Sequence, residues 1–95
     1  MRVVSRYRLR EDQKDFDAQL VAAVRDELDR VRPDWLRWDV YRLEDGVTVL
    51  SVLDVDDPSQ LRRLVEFTAY TETLDARCEE PPVTDVVEHL GGYRP

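Results

Sequence analysis

The chain has one cysteine, one histidine, three glycines and no asparagine among its 95 residues. A single cysteine excludes an intrachain disulfide, and together with a single histidine it cannot build the usual zinc or iron ligand set, so no cofactor or metal is expected. The scarcity of glycine leaves no glycine-rich phosphate loop, and no serine, histidine and acid fall into a nucleophile motif. No apolar run approaches the roughly 20 residues that cross a bilayer, and no hydrophobic stretch follows Met1-Arg2-Val3, so the chain reads as cytoplasmic without a signal peptide. A net charge of −7 and a pI near 4.6 argue against a nucleic-acid partner. What positive charge exists is local: Arg2, Arg6, Arg8 and Arg10 precede a strongly acidic helical pattern.

What is present is an order of patterns. Ninety-five residues suit one domain, with roughly 60–70% of the unfolded surface available to bury. From Arg2 to Leu9 the residues alternate, placing Val3, Ser5, Tyr7 and Leu9 on one side and Val4, Arg6 and Arg8 on the other, which predicts a strand. From about Glu11, Phe16, Leu20, Ala23, Val24, Leu28 and Val31 recur at helical spacing with Asp, Glu, Gln and Arg on the remaining face, and Pro33 stops the helix near Val31. Trp35–Leu43 and Val47–Val55 flank Asp45-Gly46, a dipeptide suited to a two-residue type I′ hairpin. Counting outward pairs Arg42 with Val49, Val40 with Ser51, Trp38 with Leu53 and Leu36 with Val55 on the face assigned to the helices. Tyr41 with Leu50, Asp39 with Val52 and Arg37 with Asp54 fall on the other.

Asp57-Pro58-Ser59-Gln60 is a helix start. The stripe after it rotates from Leu61, Leu64, Val65 and Thr68 to Phe67, Tyr70, Leu74 and Cys78, which predicts a break near Phe67–Ala69. Val83–Leu90 reads as a last strand. The sum is an α+β, ferredoxin-like βαββαβ domain over residues 1–95, a four-stranded antiparallel sheet in order 4-1-3-2 with two helices on one face. The face without helices is partly apolar through Tyr41, Leu43, Leu50, Val52 and Val87, so a homodimer enclosing a pocket is expected.

Arg6 and Arg8 on that face are candidates to hold a carboxylate, phenolate or enolate, or else to pair with Asp54 and Asp85 in a structural network. Tyr41 is the aromatic candidate on the same face, whereas Tyr7 and Trp38 face the helices as packing and Phe67 and Tyr70 stand near a pocket end. His89 is the one candidate base near neutral pH, in the last strand. Cys78, near a helix C-terminus, reads as a buried structural thiol.

Val3-Val4-Ser5-Arg6-Tyr7-Arg8-Leu9 opening into a helix, the Trp38–Val55 hairpin, the Asp57-Pro58 start and the closing strand Val83–Leu90 together resemble the antibiotic biosynthesis monooxygenase-like family of dimeric α+β barrels. The resemblance implies sheets paired into a barrel, and an activity that oxidises polycyclic phenols to quinones without metal or flavin. Helix two lacks the histidine that haem-degrading members use, and strand three ends Leu53-Asp54-Val55-Asp56 with no tryptophan. Two readings stay open: a cofactor-independent monooxygenase-like enzyme acting on an aromatic or enolisable small molecule, with Arg6, Arg8, Tyr41 and His89 as site residues, and a non-catalytic dimeric ligand-binding or assembly domain. Converging polar groups in a closed cavity favour the first, and arginines fully paired with Asp54 and Asp85 favour the second.

Overall fold

The two alternating runs on either side of Asp45-Gly46 fold back on each other as β2 (Leu36–Arg42) and β3 (Thr48–Val55). Their register is the predicted one, with Leu36 opposite Val55, Trp38 opposite Leu53, Tyr41 opposite Leu50 and Arg42 opposite Val49. The turn itself differs from the expected type I′. Only Gly46 takes a positive φ, +79°, and its N–H donates to Leu43 O at 3.0 Å, so the turn centres on Glu44-Asp45 and the glycine follows it. Asp45 works through its side chain, accepting from the Val47 and Thr48 amides at 3.0 and 2.8 Å and from the Thr48 hydroxyl. Register survives because Leu43 N–H still reaches Thr48 O at 2.9 Å.

The computed structural model describes residues 1–95. β1 (Arg2–Arg8) lies between β3 and the edge strand β4 (Val83–Val87), giving the order β2-β3-β1-β4, which is 4-1-3-2 read from the other edge. All neighbours are antiparallel. β4 stops at Val87 rather than at Leu90 because Val87 already faces Arg2, the first residue of β1, and nothing remains for Glu88–Leu90 to pair with. No helix is long and apolar enough to cross a membrane.

A 3₁₀ turn over Glu11–Gln13 leads into α1 (Lys14–Val31), which ends on Arg32 in the left-handed conformation at φ 52°, just before Pro33. The inward face of α1 departs from the expected stripe. Phe16 and Val31 are half exposed, whereas Asp17 and Glu27 are buried beside Val24. Each acid is tolerated there because a specific donor set meets it.

The second helical stretch breaks at Leu64 and Thr73, not at Phe67–Ala69. Asp57 caps a 3₁₀ segment, Pro58–Arg63, by accepting from Ser59 N–H at 3.0 Å. Leu64 is then extended, with φ −97° and ψ 102°, and drives its side chain into the core, 1% exposed. Helix α2 (Val65–Glu72) restarts behind it, and one further turn, α3 (Leu74–Arg77), follows a break at Thr73 whose hydroxyl donates to Ala69 O at 2.7 Å. The core between these helices and the sheet is Tyr7, Leu9, Val24, Val49, Leu64, Phe67, Tyr70 and Cys78.

Candidate functional site

The helices cover one face of the sheet without filling the space beneath them. A cavity of about 400 Å³ lies between β1 and β3 on one side and α2 with the 58–63 segment on the other. That volume is within the range of about 300–1,000 Å³ typical of small-molecule sites. Alternation builds its floor: Val3, Ser5 and Tyr7 of β1 and Ser51, Leu53 and Val55 of β3 all point the same way. Phe67, Tyr70 and Leu74 line its helical side, so most of the wall is apolar. Trp38 backs it, edge-on to Phe67 and Tyr70 at centroid distances of 6.0 and 5.9 Å, and donates its indole N–H to Ser51 Oγ at 3.0 Å.

Along the strand direction the cavity ends on a hydrogen-bonded chain. Tyr7 Oη and Tyr70 Oη are 2.5 Å apart, and Tyr7 Oη donates to Asp17 Oδ2 at 3.0 Å. Arg77 Nε donates to the other carboxylate oxygen, Oδ1, at 2.9 Å, and its remaining donors reach Tyr70 O at 2.9 Å and Thr73 Oγ1 at 2.6 Å. The guanidinium also lies 5.5 Å from the Tyr70 ring centroid. Asp17, Arg77, Tyr7 and Tyr70 are all at most 2% exposed. Burial, followed by the neighbouring Tyr70, raises the Tyr7 phenol far above its usual range, and burial pushes Tyr70 up to about 12, so both hydroxyls stay neutral.

The helical side of the cavity is fastened by α1. Asp17 holds Arg77 below the C-terminal end of α2, and ten residues on Glu27 accepts from the Glu66 amide at 3.0 and 3.1 Å and the Phe67 amide at 3.1 Å. Glu27 thus caps α2 from another helix, supplying the negative charge that an N-terminus favours. Cys78 is buried and its thiol is pushed up to about 11, chiefly by burial, which fits a neutral packing role. No group of three or more His, Cys, Asp or Glu side chains is arranged to hold a metal.

Of the sequence candidates, Phe67 and Tyr70 line this cavity, and Arg6, Arg8, Tyr41 and His89 lie elsewhere. Arg6 and Tyr41 share one row across the uncovered face, Tyr41–Leu50–Arg6–Val83, with Arg8 two residues further along β1. Arg8 pairs with Glu79 at 3.3 Å. Asp54 pairs with Arg2 at 3.0 Å, so neither Arg6 nor Arg8 is neutralised by Asp54 or Asp85. Arg6 and Arg8 border a small polar cleft with Asp45, Thr48 and Glu80. His89 falls beyond β4, beside a shallow groove with Arg2, Tyr93 and Arg94. None of Arg6, Arg8, Tyr41 or His89 lines the 400 Å³ cavity.

Asp17, Glu27 and Arg77 were missed because charge on an amphipathic helix reads as solvated. One signal was available: Asp17, Val24 and Glu27 sit at spacings of seven and three, one face of a helix.

No family model and no curated protein matches the sequence. Solved structures do. A structure of an antibiotic biosynthesis monooxygenase superposes with a TM-score of 0.70 at 12% identity, covering 95% of this chain and 98% of that one. Rv0793 from Mycobacterium tuberculosis gives 0.68 at 19% identity, covering 98% and 97%. A mutant form of SnoaB, a cofactor-independent oxygenase from Streptomyces nogalater, gives 0.61 at 16% identity, covering 96% of each chain. The chain therefore has the antibiotic biosynthesis monooxygenase-like fold over essentially its full length.

Proposed function

We propose that this chain is a cofactor-independent, monooxygenase-like enzyme that takes a phenolic or enolisable aromatic into the cavity beneath α2. The observation that carries the reading is the apolar chamber of about 400 Å³ closed at one end by two neutral tyrosines wired to a buried carboxylate. The fold likeness to a protein named as a cofactor-independent oxygenase points the same way.

The chemistry follows from the chain of hydroxyls. A phenol becomes a far stronger acid once it gives up an electron to oxygen. Its proton then passes to Tyr70 as Tyr70 passes its own to Tyr7 and Tyr7 to Asp17, the carboxylate at the end of the chain. Oxygen adds at a free ring C–H para to the hydroxyl as a hydroperoxide, with the proton returned. Loss of one water leaves the second carbonyl, so a phenol and one O₂ give a quinone and one H₂O. Phe67, Leu53 and Leu61, all on the cavity wall, supply the apolar contact that holds the ring, with Trp38 packed behind Phe67.

Arg6, Arg8 and Tyr41 belong, on this reading, to a homodimer contact. Val4, Leu50, Val52 and Tyr41 stand together on the uncovered face, and burying them against a second copy gains about 25 cal/mol per Å². The same face is what favours the second reading, a dimeric assembly domain without catalysis. Oxygen uptake over a panel of 1-naphthols and anthrones, with no added metal or flavin, separates the two. The enzyme reading expects uptake matched one to one by quinone absorbance, and at least about a tenfold loss in Tyr70→Phe with folding retained. No uptake and no binding across the panel selects the assembly domain.

A further inference from the structure

The hydrogen-bonded chain at the end of the cavity has a direction. Asp17 is an acceptor at both oxygens, receiving Arg77 Nε at 2.9 Å and Tyr7 Oη at 3.0 Å. Tyr7 has one proton, and Asp17 takes it. The Tyr7–Tyr70 contact at 2.5 Å must then use the proton of Tyr70. The reverse order would set a Tyr7 lone pair against a carboxylate oxygen in a site where both residues are at most 2% exposed, a repulsion burial makes severe. Tyr70 is left with no proton to give. Both tyrosines stay neutral by burial, so ionisation does not scramble the order near neutral pH.

We propose that the Arg77–Asp17–Tyr7–Tyr70 chain makes the polar end of the cavity an obligate hydrogen-bond acceptor, so that it selects ligands carrying an O–H donor, a neutral phenol or enol, over the matching aryl ether or phenolate. This rests on the cavity being a ligand site and adds which protonation state enters it. A donor to Tyr70 completes the series. An ether presents only lone pairs to lone pairs, and a phenolate brings its charge to Tyr70, which has no proton left to meet it, while Arg62 and Glu72 elsewhere on the cavity wall carry opposite charges. Tyr70 is the residue that touches the ligand, and Tyr7, Asp17 and Arg77 act through it by fixing which way its proton points.

Binding of 2-naphthol and 2-methoxynaphthalene to the wild-type protein, followed by calorimetry, tests this. The expected result is a preference of about tenfold or more for the naphthol, the worth of one buried hydrogen bond that the ether cannot make. Raising the pH through the ionisation of naphthol should weaken its binding in step with loss of the neutral form, while ether binding stays level. Tyr70→Phe should erase the preference by lowering naphthol affinity and leaving the ether within about threefold. Because that variant also removes a partner of Tyr7, Tyr7→Phe serves as a second probe. It keeps the Asp17–Arg77 pair and frees the Tyr70 proton, so the preference should fall and the ether should gain. Equal affinity for the two ligands, or tighter binding of the naphtholate, overturns the proposal while leaving the cavity reading intact. Failure of both ligands to bind overturns the cavity reading as well.

Discussion

On the helix-covered side of the sheet, Arg77 and Asp17 meet at 2.9 Å with each side chain 2% exposed; on the uncovered side, Arg2 and Asp54 meet at 3.0 Å with 41% and 36% exposed. The two pairs share their chemistry and almost their length. Their surroundings make them different objects. Around Arg2 and Asp54, water and salt screen the attraction and replace either partner when it leaves, so the pair adds little. Around Arg77 and Asp17 nothing replaces a lost partner, and each remaining nitrogen or oxygen of the two side chains already has one, in Tyr7, Thr73 or the Tyr70 carbonyl. The lesson concerns position more than strength. A buried pair of this kind organises its neighbours, and here the neighbours are the tyrosines at the end of the cavity.

The largest expected effect comes from breaking the buried pair on one side only. Arg77→Met should cost about 3–5 kcal/mol in chemical denaturation, because Asp17 is left charged in the core, and adding Asp17→Asn should restore part of that loss. A cost near that of a surface mutation would remove the contrast between the two faces. Next comes Glu27, whose carboxylate caps α2 across the helix interface. Glu27→Ala should cost about 1–2 kcal/mol, and hydrogen exchange should quicken first at the amides of Glu66 and Phe67. On the open face, Arg2→Ala should change stability by less than about 1 kcal/mol, an effect that shrinks further in high salt.

The smallest effect is a titration. The Thr48 hydroxyl, with the backbone amides of Thr48 and Val47, holds Asp45 down at about 2, against its ordinary 3.8. A carboxylate lowered by folding stabilises the protein above its unfolded value and loses that contribution as the pH falls through the folded one. Acid unfolding followed between pH 4 and 2 should therefore carry a component that Asp45→Asn removes.

Strands and register were legible because alternation has a period of two, and one turn signal, Asp45-Gly46, fixes every pair that follows from it. Even the turn type being different did not shift Tyr41 from Leu50 or Arg42 from Val49. The uncovered face was legible for the same reason, and so was the burial of Cys78. The cavity was not. Its polar end depends on Asp17 and Arg77, sixty residues apart, and composition marks both as surface groups. The break in the second helical stretch was seen but misplaced by a few residues, because α2 starts where a carboxylate on α1 caps its first amides, a partner that no local pattern reveals. Tyr7 was assigned correctly to the helix side and read as packing alone, since a hydroxyl partner on another element leaves no trace in spacing.

If ligand enters beneath α2, an amide chemical-shift titration with 2-naphthol will read it residue by residue. The largest shifts are expected on Ser5, Ser51, Phe67 and Thr71, around the cavity, with Leu50, Arg6 and Tyr41 on the opposite face unmoved. Shifts centred on Leu50, Arg6 and Tyr41, with the cavity residues silent, would contradict it.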